Sequence, residues 1–439
     1  MMYVHNKKII GTLLPLSALK SNNHRTGKES CGTFAMGRVF LQWLRQTDQH
    51  AWQLLPLHQT HLMPGSRSRH VPSPYKGYGV GIDPRYRTHA RLPGRPRQRS
   101  FVEFLAEQEH WLRSYALFCA VRDHFGTDDW TQWPVELRDR DPQALGAWER
   151  TLDGAIERYQ IEQYVLHDEL FALRRLARTY GILLIGDMSF YLPLQSSLVW
   201  EFHDAFRIER EGGLSAVSGL PNGAKMHYGR QVWGHPLYAW STRGGRERLL
   251  SLWKMRITYL SHIYDMVRFD HVTGFYQYGS MDMTSPTRDT LARGPGTPTL
   301  VSIIGLMREA GLDFFVEDSS HRSIPRLHEL LKREHIPSTR IARYIYNEKM
   351  KKINPRHAQI DDYPHATIAY TSTHDTEPLA AYIKKLSAQE KRDLCSAIAL
   401  PAYHSDRALA CGIRSRVLHS PAHIVLIQFQ DWFLRNERM

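Results

Sequence analysis

Apolar residues recur along this chain in two alternating rhythms. Short unbroken apolar runs, closed by Pro, Gly or polar residues, predict buried strands. They are IIGTLLPLS at 9–17, AWQLLPL at 51–57, ILLIGDMSFYL at 182–192, MVRFDHVTGF at 266–275 and LDFFVED at 312–318. RIARYIYN at 340–347, ATIAYTSTHD at 366–375 and HIVLIQF at 423–429 complete the set. Between them, apolar positions at spacings of three and four predict helices. The clearest are 34–46, 115–125, 152–179, 246–264, TLVSIIGLMREAG at 299–311 and IPRLHELLKREH at 324–335. Strands of this kind alternating with helices predict a parallel α/β arrangement, and a count of eight predicts a (β/α)8 TIM barrel.

Two stretches break the alternation. Residues 58–150 are rich in His, Arg, Pro and Trp, with SPYKGYG at 73–79 and WTQWP at 130–134. They read as an inserted subdomain over one end of the barrel, after the second strand. Residues 193–245 read as a long irregular insertion near the cleft, after the third strand, with turn-rich GGLSAVSGLPNGAK. Residues 1–439 then form a single catalytic barrel domain.

Composition adds exclusions. With 42% hydrophobic, 11% aromatic and 23% charged residues over 439 positions, the chain is globular and large enough for an extensive core. No segment approaches membrane-spanning length and the start holds no signal-like apolar run, so a cytoplasmic protein is expected, compatible also with a secretion route that uses no such signal. Cys31, Cys119, Cys395 and Cys411 lie far apart without C-x-x-C spacing, which predicts free thiols and no metal site. The net charge is +13, with Arg concentrated at 85–99. This predicts a solvated basic loop, and no RNP, zinc-finger or helix-turn-helix pattern makes nucleic acid the expected partner.

The chemistry concentrates where the predicted strands end. Arg268 and Asp270, two apart on the fourth strand, point to one side. The fifth ends in Glu317 and the seventh in Asp375. Active sites of such barrels lie at the C-terminal ends of the strands, and three acids at one mouth are costly unless function retains them. The set fits retaining glycosyl transfer, which needs one ionised carboxylate and one protonated carboxyl. Arg268 is expected to lower the pKa of Asp270, and apolar neighbours to raise that of Glu317, with adjacent Asp318 the competing choice. His271 and His374 can bond sugar hydroxyls, and Tyr75, Trp200 and Trp233 offer flat faces for sugar rings.

These motifs resemble the amylomaltases, or 4-alpha-glucanotransferases, of the α-amylase superclan. The resemblance rests on LLPLS at 13–17, WQLLPL at 52–57, SPY at 73–75, and YALF with WxxWP within 115–134. It continues through IGD at 185–187, QVWGHPLYAW at 231–240, VRFDHVTGF at 267–275, VED at 316–318 and TSTHD at 371–375. It implies an α-1,4-glucan or maltooligosaccharide substrate, Asp270 as nucleophile, Glu317 as acid/base and Asp375 as transition-state stabiliser. Ser73, Tyr75, Trp233, Arg268, His271 and His374 would line the glucan cleft, with no metal or organic cofactor. The chain departs from the family pattern at Gln195, Leu198 and Gly223, where acids are usual, at His235 for Asn, at Thr273 for Arg and at Thr376 for Asn. It also stops at RNERM, where the family continues into a further loop. The centre reads as kept and the surroundings as changed. Alternatives are a divergent glucan hydrolase, transfer to an unusual acceptor, or a non-catalytic glucan-binding or basic-loop interaction protein.

Overall fold

The computed structural model describes residues 7–19, 21–22, 29–30, 32–67, 69–88, 100–222, 229–318, 324–348, 350–401 and 403–435. Cys31, Gly223, positions 89–99 of the basic run and residues 436–439 lie outside the described residues. Eight strands close into a barrel: β1 (Ile9–Leu13), β2 (Ala51–Gln53), β3 (Leu183–Met188), β4 (Met266–Phe269), β5 (Asp313–Val316), β6 (Ser338–Ile341), β7 (Thr367–Tyr370) and β8 (Ile424–Gln428). Each pairs in parallel with its sequence neighbours, and β1 closes on β8 with Ile9 opposite Ile424. The expected (β/α)8 barrel is the observed fold.

Because side chains alternate along a strand, each barrel strand feeds two cores. Leu13, Ala51, Ile185, Met266, Phe315, Ile341, Ile368, Tyr370, Ile424 and Leu426 fill the barrel interior. The intervening residues, such as Val267, Phe269, Phe314 and Val316, face outward into the larger core under the helices. Phe269 meets Trp253 of the preceding helix Arg243–Ile263 at 5.3 Å between ring centroids. Gly186 on β3 faces outward too; a Cβ there would lie 2.3 Å from the Tyr264 ring, so only glycine lets that ring pack on the strand.

The sixth strand lies earlier than its apolar run predicts: it spans Ser338–Ile341 and shares only Arg340 and Ile341 with the expected 340–347. After Ile341 the chain enters a turn at Ala342–Tyr344, and Tyr346–Asn347 pairs with Lys352–Ile353 in a separate hairpin. The Ile341 amide, at the strand's last residue, donates to His357 Nδ1 at 3.1 Å. The helix expected at 115–125 starts earlier, spanning Phe101–Phe125. Its start is set by a capping box, in which Ser100 and Glu103 satisfy each other's amides. It packs on the helix Asp153–Thr179 through pairs such as Phe104 with Tyr164.

The segment 193–245 is more regular than its composition suggests. Ala216–Leu220 and Gln231–Pro236 join Gln277–Asp282 and Thr290–Arg293 in a four-stranded antiparallel sheet. Turn residues hid these strands, and Ala216–Leu220 finds its second partner only at Gln277–Asp282, beyond the reach of local pattern. The sheet fastens this segment to the chain just after β4, beside the residues that matter most.

Candidate active site at the barrel mouth

Strand parity builds the site. Met266 points into the barrel, so Arg268 and Asp270, two and four residues on, follow the same side. Phe315 on β5 puts Glu317 inside, and Ile185 on β3 does the same for Asp187. All rise from the C-terminal ends of their strands.

Arg268 is the hub. Its Nη1 donates to both oxygens of Asp187 at 3.0 Å, and Nη2 reaches Asp270 Oδ1 at 2.8 Å and Asp375 Oδ2 at 3.5 Å. The guanidinium is buried, which disfavours its charge, yet Asp187, Asp270 and Asp375 together outweigh burial and raise its pKa. Asp375 is the outermost member, with its side chain 53% exposed.

Glu317 sits beside Asp270, because its Oε2 accepts from the His271 amide at 3.2 Å. That amide is aimed by backbone geometry: His271 adopts a left-handed conformation, φ 47° and ψ 41°. Such a conformation is uncommon for a residue with a side chain and costs on the order of 1 kcal/mol. Asp318, the competing choice, points the other way. It is buried against β6 and the turn beyond it, with Arg356, His328 and the Thr339 amide as partners. Parity along β5 therefore leaves Glu317 as the acid in the mouth.

Tyr75 enters from the 58–150 segment, presented by a single turn at Pro74–Lys76. Its hydroxyl donates to Asp187 Oδ2 at 2.6 Å, so its oxygen accepts from His374 Nε2. The two rings stack at 5.6 Å, and His374 Nε2 lies 3.3 Å from Asp375. Burial, with Asp187 adding to it, keeps the Tyr75 phenol protonated. Ser73 stands at the start of that turn, half-buried, with only its carbonyl engaged, accepting from the Lys76 amide at 3.0 Å. Trp233, on the antiparallel sheet, sets its ring perpendicular to His271 at 5.3 Å. Trp200 is not a sugar platform. It is fully buried, donates to the Leu137 carbonyl at 2.9 Å and lies under Arg140.

The electrostatics correct one expectation. Asp270 is pushed up to about 8, first by burial and then by Asp187, Glu317 and Asp375, while Arg268 pulls the other way. The expected lowering by Arg268 is therefore real and outvoted: several carboxylates share one guanidinium, and their protons belong to the set. Burial lowers His271 to about 4, Arg268 assisting, and burial lowers His374 as well. Both imidazoles are neutral at pH 7, and His271 Nε2 and His374 Nδ1 have no partner among the described residues.

Behind the mouth, a second layer fixes the loop after β7. Asp431, fully buried, accepts from Thr371 Oγ1 at 2.6 Å, from Ser372 Oγ and from the Leu379 amide. Thr376 caps the turn that carries Asp375, its Oγ1 accepting from the Thr373 amide at 3.1 Å. Sequence reading gave Asp187 a strand end and no role. Its signal was parity, two residues beyond inward-facing Ile185 on a strand beside Arg268. Asp431 left no such trace, because its partners lie some 60 positions away. Among the described residues no group of three or more His, Cys, Asp or Glu is arranged to hold a metal ion. No helix there is long and apolar enough to cross a membrane.

Fold and mouth together define the class: a (β/α)8 barrel with its acids gathered on the C-terminal rim around one arginine. A family model described as 4-alpha-glucanotransferase matches residues 84–439. The 4-alpha-glucanotransferase of Aquifex aeolicus is 25% identical over 427 residues, covering 89% of this chain and 85% of its own. That of Thermus thermophilus is 26% identical, covering 81% and 76%. An amylomaltase from Streptococcus agalactiae, solved in complex with acarbose, superposes with a TM-score of 0.79 at 21% identity, over 97% of this chain and 90% of that one. The chain belongs to the 4-alpha-glucanotransferase family, an enzyme family, as its motifs implied.

Proposed function

We propose that the protein moves α-1,4-glucan segments between maltooligosaccharides with retention of configuration, using Asp270 as nucleophile, Glu317 as acid/base and Asp375 as transition-state stabiliser. One observation carries this reading: Asp187, Asp270 and Asp375 converge on the single guanidinium of Arg268, and Glu317 stands beside Asp270 on the His271 amide. Excess negative charge is unfavourable in the empty cleft and favourable when an oxocarbenium-like sugar develops positive charge there.

In the productive state Glu317 holds a proton and Asp270 holds none. Arg268, 2.8 Å from Asp270, favours that distribution within the set. Asp270 attacks the anomeric carbon while Glu317 gives its proton to the leaving glycosidic oxygen. A glycosyl ester on Asp270 results. Glu317, now ionised, takes the proton of an incoming sugar hydroxyl, whose oxygen displaces Asp270 and restores the α configuration. The proximity of Glu317 to Asp270 through the His271 amide suits retention, which requires closely spaced carboxyls.

Asp187 and Tyr75 act as positioning residues, holding Arg268 and His374. The unpartnered nitrogens of His271 and His374 are suited to sugar hydroxyls, and Trp233 to a sugar face. Incubation with maltotriose tests the reading. The wild type should yield a ladder of longer and shorter oligosaccharides by mass spectrometry, and Asp270→Asn none. Glucose and maltose without longer products would replace transfer by hydrolysis, and unchanged maltotriose in both samples would defeat the enzyme reading.

A further inference from the structure

A second cluster, of opposite sign, lies beside the mouth and takes no part in the chemistry just described. Lys76, on the turn that presents Tyr75, donates from Nζ to the Trp233 carbonyl at 2.5 Å. Its ammonium is half-buried, and no carboxylate among the described residues pairs with it. It crosses directly over the neighbouring backbone: a Cβ on Gly234 would lie 3.7 Å from Nζ.

The next residue, His235, is 6% exposed and stacks on Tyr191 with ring planes 9° apart. Its ring bonds the Leu192 carbonyl, and Nδ1 is left without a partner among the described residues. His61 completes the group: its amide donates to the Lys76 carbonyl at 2.9 Å, and it and Lys76 both act on His235 electrostatically. The carboxylate nearest His61, Asp128, is occupied by the Leu62 amide at 2.6 Å and the Tyr78 hydroxyl at 2.8 Å.

A partly buried cation without a counter-ion among the described residues, next to a buried imidazole with an unpartnered nitrogen, is unfavourable unless a ligand brings negative charge. The sequence departures act in the same direction. His235 stands where the resembling family has Asn, and Gln195 where it has an acid. One pair of rings, Trp233 and His271, separates the basic cluster from the carboxylates. A ligand reaching both must carry its anion a short distance from a sugar hydroxyl.

We propose that Lys76, His235 and His61 form an acceptor-side subsite for a phosphate monoester borne by a glucose unit. The proposal rests on the transferase reading above and names its acceptor class. Lys76 supplies the fixed charge. His235 Nδ1 accepts a hydrogen bond while the ring is neutral, and the phosphate draws a proton onto it on binding. In the transfer step the acceptor hydroxyl oxygen bonds to the anomeric carbon as the carbon–oxygen bond to Asp270 breaks. The hydroxyl proton goes to Glu317, Asp270 regains its carboxylate, and the phosphate is untouched.

The test offers maltotriose as donor with glucose or glucose 6-phosphate as acceptor, and reads products by anion exchange and mass spectrometry. The wild type should favour the phosphorylated acceptor by about tenfold in kcat/KM, the scale of one charge-assisted contact. Lys76→Met and His235→Asn should each collapse that ratio, and Lys76→Arg should keep it. Equal use of both acceptors, or a ratio unchanged in both Lys76→Met and His235→Asn, overturns the proposal. Glucuronic acid accepted as well as glucose 6-phosphate overturns the assignment to phosphate. Calorimetry of wild-type protein with glucose 6-phosphate alone separates the two readings. Phosphate-dependent binding without transfer to any acceptor sustains the subsite and defeats the transferase reading; transfer to glucose with no binding preference does the reverse.

Discussion

Two Arg–Asp clusters rise from neighbouring strands of this barrel, and they are built on opposite principles. At the mouth, Asp187, Asp270 and Asp375 crowd around Arg268, and Glu317 adds its charge beside Asp270. Acids outnumber donors, and Asp270 is pushed up to about 8 by burial and its acidic neighbours. One residue past Glu317, on the other face of the same strand, Asp318 is fully buried with Arg356, His328 and Thr339. Donors outnumber acids there. Burial alone would raise the Asp318 pKa, but His328 and Arg356 outweigh it and hold the carboxyl below the usual range. An over-satisfied carboxylate stabilises a fold; an under-satisfied set stores charge for a reaction.

The sharpest break between the two comes from Asp270→Asn. Activity should fall by about 10⁴-fold or more, the usual scale for loss of a nucleophile. Stability should move the other way. A carboxyl whose folded pKa is raised contributes stability below its unfolded value of about 4, and that contribution is lost as pH rises toward 8. The variant should therefore melt above the wild type at pH 8, with the difference closing toward pH 4. A variant that melts lower at pH 8 would contradict the crowding argument.

Asp318→Ala should invert that result. Removing one partner of a buried pair costs about 3–5 kcal/mol, read by urea unfolding, while kcat of the folded protein stays close to wild type. The Asp318 contribution is present above its unfolded pKa and fades as pH falls through the lower folded value. The stability gap between wild type and variant should accordingly narrow in acid.

Asp375→Asn addresses the shared protons. Asp375 adds to the rise of Asp270, so neutralising it should move the acid limb of residual kcat/KM to lower pH, by up to about one unit. An upward or absent shift would show that Asp375 stands outside the set. Tyr75→Phe should have the smallest effect, about tenfold in kcat/KM, from loss of the hydroxyl's bonds to the Asp187 carboxylate and His374 Nε2. Its stability should scarcely change, since the ring and its stacking on His374 remain.

The barrel was legible because most of its eight strands are apolar runs alternating with helices; the sixth, Ser338–Ile341, is not such a run. The mouth residues were legible because strand ends and spacings of two are local facts: Asp270 follows Arg268 by two, and Glu317 ends its own run. Asp187 could have been assigned on the same parity. The antiparallel sheet could not, since Ala216–Leu220 finds its partner at Gln277–Asp282. Nor could the fate of Trp200, whose burial under Arg140 is set by the 58–150 segment.

The chain by itself determined the fold, the family and which acids could meet, since periodicity and short motifs are written in consecutive residues. Only the tertiary structure decided how those acids share one arginine, which of Glu317 and Asp318 faces the cleft, and that Lys76 reaches the Trp233 carbonyl. Electrostatic balance depends on distances between groups far apart in sequence, and a linear pattern carries no such distances. Arg268 alone predicted an ionised Asp270; burial first, and then three further carboxylates brought in by other strands, reversed that sign.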